Sequence, residues 1–178
     1  MKLISYKKNG NTKLGAFEEG RIYDLHALDS NIADNMQEFL QGGEKQLQLA
    51  KPAVKNGDPT ILAGDVELIS PVPNPPSVRD AYAFRQHVAT ARRNRGLEMI
   101  PEFDEIPIFY FTNHHAVFGE GYFPVLSRHT EKLDFELECA AIIGKGGRNI
   151  STSDADDYIA GFMIMNDLSA RVLQMQEM

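Results

Sequence analysis

The chain has 178 residues, 43% hydrophobic and 24% charged, a composition that suits one large globular domain or two small ones around a buried core. A formal net charge of −7 argues against gripping nucleic acid or an anionic membrane, since phosphate recognition needs a surplus of Lys and Arg. A lone Cys139 excludes an internal disulfide, no apolar run nears the roughly 20 residues of a membrane span, and the start reaches Lys7 and Lys8 too soon for a signal peptide, so a reducing, cytoplasmic setting is expected.

Short extended runs at residues 3–6, 13–17 and 21–25 are separated by Asn9-Gly10-Asn11 and Glu18-Glu19-Gly20, which predicts a β-meander. Ser30 is the expected cap of a helix whose apolar positions Ile32, Met36, Phe39 and Leu40 keep helical spacing and which Gly42-Gly43 ends. A second helix from about Glu44 is expected to break near Pro52. After a short strand at 66–70 comes Pro71-Val72-Pro73-Asn74-Pro75-Pro76, stiff, extended and unfit for a central sheet. It marks the predicted boundary between a small domain, 1–70, and a second one, 71–178.

Beyond it, residues 80–95 read as a helix with a cationic last turn at Arg92, Arg93 and Arg95. Residues 107–112 read as an aromatic strand, 133–143 as another strand, and Gly144-Lys145-Gly146-Gly147 as a hairpin turn. A short helix is expected at 154–160, capped by Ser153. Phe162-Met163-Ile164-Met165 reads as a buried strand running into Asn166-Asp167, with a final helix from about Ser169. That helix meets no stop signal through Gln174-Met175-Gln176-Glu177-Met178, so the sequence reads as cut where a longer protein continues.

The chemistry concentrates in Asp134-Phe135-Glu136-Leu137-Glu138. Side chains alternate along a strand, so Leu133, Phe135, Leu137 and Cys139 share one face, expected to be the core, while Asp134, Glu136 and Glu138 share the other. Like charges two residues apart repel, and a bound cation relieves this: carboxylates roughly 6–7 Å apart at the backbone can converge on one hard ion. A solvated acidic face is the competing explanation. Asp167 also stands in two ways, as a functional side chain at a strand end or as an ordinary helix N-cap. On the predicted helix 80–95, Asp80 and His87 fall on one face around Phe84, about 10 Å apart along the axis, so both can serve one cleft. Histidine suits a general base near neutral pH, and a structural histidine is the plainer alternative. The pair His114-His115 would point opposite ways on an extended segment, the glycine run lacks P-loop spacing, Asp154-Ala155-Asp156-Asp157 lacks the rest of a calcium loop, and Ser127 near His129 has no nucleophile elbow.

Three blocks, from about Pro71 to the last residue, together resemble the fumarylacetoacetate hydrolase family. They are Arg79-Asp80-Ala81-Tyr82-Ala83-Phe84-Arg85-Gln86-His87, then Leu133-Asp134-Phe135-Glu136-Leu137-Glu138, then Asn166-Asp167-Leu168-Ser169-Ala170-Arg171-Val172-Leu173-Gln174. The last is the most specific, an Asn-Asp-x-Ser-Ala-Arg after a hydrophobic strand. The resemblance implies an α+β, β-rich fold, a small N-terminal β domain followed by a mixed β-sandwich roll that is incomplete at the C-terminus, in a homodimer. It implies that Asp80, Glu136, Glu138 and Asp167 ligate Mg²⁺ or Mn²⁺, with Ca²⁺ a further candidate. His87 would activate water, Tyr82 would contact substrate, and Arg171 and Gln174 would hold its oxygens. The implied activity is hydrolysis of a carbon–carbon bond in a 1,3-diketo acid through an enolate, with decarboxylation or isomerisation of unsaturated dioic acids as the family's other uses of that chemistry. In the family the chain runs on into further strands that bring a lysine and the acidic partner of the histidine; without them a non-catalytic metal-binding fragment is the rival expectation.

Overall fold

Two turns set up the N-terminal sheet. Strand β1 (Lys2–Lys8) returns through Asn9-Gly10 into β2 (Asn11–Glu18), and β2 through Glu19-Gly20 into β3 (Arg21–Asp24). All four turn residues have positive φ, 51° and 79° in the first pair and 47° and 79° in the second, the twist-matched conformation of two-residue hairpins. With β4 (Ile61–Leu62) and β5 (Glu67–Ile69) they form an antiparallel sheet in the order β4-β3-β2-β1-β5. This is the meander that the turn chemistry predicts. These coordinates form a computed structural model that describes residues 1–177; Met178, the last residue of the open-ended helix pattern, lies outside the described residues.

Both sheet faces are apolar. On one, Leu14 and Ala16 pack with Leu25, from α1 (Leu25–Leu28), and with Ile32, Met36, Phe39 and Ala50. On the other, Tyr6, Ile22 and Ile61 form a second cluster. Gly15 lets that second face close, because a Cβ there would sit 2.7 Å from Ile22 Cγ2 and 3.1 Å from Tyr6 Cε1. Ser5, fully buried on β1, donates its hydroxyl to the Pro71 carbonyl at 2.7 Å and so ties the proline segment to the sheet.

The helix α2 (Met36–Asn56) corrects two expectations. Its cap is Asn35, whose side chain accepts from the Glu38 N–H at 3.0 Å, and not Ser30. Gly43, at φ 56° and ψ −138°, leaves the helical region, so two helical stretches meet there at a kink as the glycine pair predicts, but Pro52 does not break the second, which continues to Asn56. The kink redirects the axis so that Phe39 before it and Ala50 after it both reach the sheet.

The Tyr6 hydroxyl is buried beside the Asp24 carboxylate without closing a well-formed hydrogen bond, and burial first, then the charge and weak hydrogen bonding of Asp24, pushes its pKa well up. A raised phenol pKa means the unfolded chain loses this proton first, so stability should be flat below the ordinary tyrosine range near about 10 and fall as pH rises above it. Absorbance titration should show one tyrosine that ionises only on unfolding, and Tyr6→Phe should remove it at no cost in urea stability or a gain of up to about 1 kcal/mol. A destabilised Tyr6→Phe would mean that the hydroxyl is satisfied.

By contacts the chain divides into two compact units, Met1–Pro73 with Phe118–Met178, and Asn74–Val117. In the second, β6 (Val78–Ala81) pairs antiparallel with β7 (Phe109–Thr112), flanking α3 (Arg85–Asn94) and α4 (Glu102–Glu105). The helix predicted at 80–95 is therefore shorter. Asp80 lies on a strand because its segment is captured by cross-strand pairing to Tyr110, so Asp80 and His87 do not share a helix face. Arg85 grips Asp104 through Nε and Nη2 at 3.1 and 2.9 Å, joining the two helices. The rings of His114 and His115 lie side by side, centroids 4.1 Å apart and planes tilted by 39°; the expectation of opposite directions fails because they sit in a turn after β7.

In the first unit, β8 (Leu133–Ile143) and β9 (Ile159–Ala170) form an antiparallel ribbon, followed by α5 (Arg171–Glu177). The bounds of β8 are as predicted. The residues 144–158 between them are a long connection carrying a 3-10 segment (Thr152–Tyr158) where the short helix 154–160 is expected, and Ser151 occupies the cap position expected of Ser153. Strand β9 runs through Asn166 and Asp167 to Ala170, past the predicted helix start at Ser169. Among the described residues these strands pair only with each other, so the face expected to be core is open: Phe135, Leu137, Phe162 and Ile164 are 65–77% exposed.

Candidate metal centre

The β8–β9 register places Glu136 directly opposite Asp167, Asp134 opposite Ser169 and Glu138 opposite Met165. Alternation then sets Asp134, Glu136 and Glu138 on the face that carries Asp167. Asp167 is thus a mid-strand residue and not a helix cap; the ladder continues three residues beyond it, to Ala170. Glu136, Glu138 and Asp167 are all half-buried, and each offers a carboxylate oxygen within 4.8 Å of the others.

Two like charges directly opposite on a ladder, with a third two residues away, are electrostatically unfavourable unless a cation sits among them. One cation is built in. The first residue of α5, Arg171, donates its backbone N–H to the Lys132 carbonyl at 2.9 Å, which fixes it just past the end of the ladder. From there its side chain reaches back along β8, with Nη1 2.5 Å from Glu136 Oε1 and 3.0 Å from Gln174 Oε1. Nε and Nη2 reach Asp134 Oδ2 at 3.0 and 2.9 Å. This pairing, and secondarily the Phe135 N–H, holds the Asp134 carboxyl below the usual aspartate range.

The donor set is all oxygen and all anionic, which matches hard divalent ions of the Mg²⁺, Mn²⁺ and Ca²⁺ kind and not soft, thiolate-seeking metals. The residues present fit such an ion.

The structure brings five of the predicted site residues onto this ribbon and its helix: Glu136, Glu138, Asp167, Arg171 and Gln174. Asp80, Tyr82 and His87 belong to the other compact unit. There, Asp80 accepts a hydrogen bond from the Tyr110 hydroxyl, and Tyr82 is half-exposed with its N–H on the Ile108 carbonyl. His87 is exposed near the start of α3 and lines an open surface concavity with Phe84, Arg85, Gln86 and Thr90. Reading the sequence alone left Asp134 without a role, although the alternation that singled out Glu136 and Glu138 already put it on their face.

The family described as fumarylacetoacetate (FAA) hydrolase C-terminal matches residues 77–178. Oxaloacetate tautomerase fahd2, mitochondrial, of Xenopus laevis is 28% identical over 182 aligned residues, covering 99% of this chain and 54% of its own length. Oxaloacetate tautomerase FAHD2A, mitochondrial, of Bos taurus is 30% identical over 156, covering 88% of this chain and 48% of its own. The chain thus spans about half the length of the curated relatives it matches. Among solved structures, maleylpyruvate hydrolase from Sphingobium sp. SYK-6, in complex with manganese(II) ion and pyruvate, superposes with a TM-score of 0.68 at 22% identity, over 94% of this chain and 58% of that one. Fumarylacetoacetate hydrolase from Exiguobacterium antarcticum does so with a TM-score of 0.61, also at 22%, over 98% and 58%. At that identity the likeness is one of fold, an α+β, strand-rich fold that this chain shares.

Proposed function

Because the chain belongs to the fumarylacetoacetate hydrolase family, we propose that it carries the ion-binding part of an enzyme that moves a proton between the enol and keto forms of a small 2-oxo acid. The observation that carries this reading is the carboxylate trio Glu136, Glu138 and Asp167 beside a guanidinium. Relatives aligned over most of this chain are named for tautomerising oxaloacetate, a substrate of that class.

A divalent ion, Mg²⁺ or Mn²⁺ with Ca²⁺ as a further candidate, held by Glu136, Glu138, Asp167 and by family resemblance Asp80, would stabilise the negative charge of an enolate as a Lewis acid. The chain's own groups do the rest. The Arg171 guanidinium and the Gln174 amide bind the acid's oxygens, adding donors where charge develops. The Tyr82 hydroxyl orients the substrate. A ring nitrogen of His87 accepts the proton from the enol oxygen or from the carbon beside the carbonyl, and returns it to the other position.

A second reading is supported by the His87 block. With water as the attacking group, the same ring nitrogen takes a proton from water, hydroxide adds to a carbonyl of a 1,3-diketo acid, and the carbon–carbon bond breaks to leave a carboxylic acid and an enolate, whose carbon takes the proton back from the ring. Two assays on the full chain with Mn²⁺ separate them. Enol oxaloacetate is followed by loss of its enol absorbance, and a 2,4-diketo acid by release of the cleaved acid. Faster enol decay without cleavage is the expected result. Cleavage would favour the hydrolase, and neither activity would reject both. His87→Ala should lower the observed rate by about 100-fold or more; undiminished turnover would remove His87 from the reaction.

A further inference from the structure

Asp134 is the carboxylate of β8 outside the ion-binding trio, and its contacts differ from theirs. Its Oδ1 accepts from the Phe135 N–H at 2.9 Å, which fixes the carboxylate, while Oδ2 takes both Nε and Nη2 of Arg171. The guanidinium is therefore divided. One edge is clamped by Asp134, and the remaining nitrogen, Nη1, lies between Glu136 and Gln174. Glu136 in turn faces two cations, the guanidinium and any divalent ion held with Glu138 and Asp167. An arginine with no anchor other than Glu136 would compete for that oxygen; an arginine already held elsewhere can release it and stay in place.

We propose that Asp134 is a positioning residue that clamps the Nε/Nη2 edge of Arg171, so that Glu136 can turn to a divalent ion while Nη1 stays aimed at an oxygen of the substrate acid. This rests on the reading of Glu136, Glu138 and Asp167 as ion ligands. It assigns Asp134 an effect on ion binding that passes through Arg171, not through its own charge, and that difference is measurable. A bare loss of negative charge weakens ion binding by the same factor whether or not Arg171 is present. A lost clamp weakens it only when there is an arginine to misplace.

The test is a double-mutant cycle on the full chain, read by calorimetric titration with Mn²⁺ and with circular dichroism to confirm folding. Asp134→Asn should weaken Mn²⁺ binding about fivefold, on the scale of one solvent-exposed charge pair. Arg171→Met alone should tighten it, and Asp134→Asn added to Arg171→Met should change it less than about twofold. Asp134→Glu, which keeps the carboxylate on a longer arm, should recover most of the affinity lost in Asp134→Asn. An equal loss from Asp134→Asn in both backgrounds overturns the clamp and leaves the ion site standing. Wild-type protein that binds no Mn²⁺ overturns the site and the clamp with it. An Asp134→Asn protein that fails to fold shifts the decision to Asp134→Ser in the same two backgrounds, where a loss confined to the protein with Arg171 supports the clamp and an equal loss in both overturns it.

Discussion

Replacing Glu136 and Glu138 together by glutamine is expected to reduce Mn²⁺ affinity by at least about 100-fold, close to 3 kcal/mol of binding free energy. Glutamine keeps the shape of each side chain, removes its charge and replaces one acceptor oxygen by an amide donor. Hard cations take their affinity from the number of anionic oxygens, and two of the three on this ribbon would be gone. The fold should persist, because Glu136 stands directly opposite Asp167 and the substitution relieves a like-charge pair across the ladder. Unchanged far-ultraviolet dichroism with lost calorimetric heat is the predicted outcome. Unchanged affinity in the folded double variant would reject the assignment of the ligands.

The second large effect belongs to the N-terminal sheet. Phe39, 2% exposed, packs from α2 into the cluster with Leu14, Leu25 and Met36, and Phe39→Ala should cost about 3–5 kcal/mol of stability through lost transfer energy and the cavity left behind. Against a usual total of about 5–15 kcal/mol, that leaves the domain marginal. Phe111, 67% exposed on β7, is the control. Its ring meets the Arg79 guanidinium, 4.6 Å from the centroid, and the Phe109 ring edge-on at 5.8 Å, so Phe111→Ala should cost about 1–2 kcal/mol. Urea unfolding of the two variants tests the contrast, and equal costs would undo the distinction between core and surface aromatics.

Where local chemistry decides conformation, the sequence is a good guide. The meander follows from Asn9-Gly10 and Glu19-Gly20, and the limits of β8 from an alternation over Leu133 to Cys139 that passes into an apolar run ending at Ile143 before Gly144. Where partners distant in sequence decide, it is not. Residues 80–84 carry good helix formers, yet Val78–Ala81 is drawn into a ladder with Phe109–Thr112, and tertiary pairing overrides a weak local preference. Asp167 has the look of a cap because a helix does follow, but the ladder opposite Leu133 to Glu136 carries β9 beyond it. The same limit applies to the site. Strand alternation shows that Glu136 and Glu138 share a face; it cannot show that Arg171, 37 positions away from Asp134, folds back onto that face.

The short backbone tie from Arg171 to Lys132 and the ladder from Leu133 to Ala170 also bear on contact order. The trio, its arginine and Gln174 all come from one continuous stretch, closed by the connection 144–158, whereas the N-terminal sheet must wait for Ser5 to find Ile69. Loop-closure entropy rises with the length of chain enclosed, so the carboxylate face is the cheaper of the two to bring together, and what resists its formation is repulsion, not distance along the chain. A divalent ion that neutralises that face would act on the step at which the hairpin zips, making ionic conditions during refolding a kinetic variable for this half of the chain.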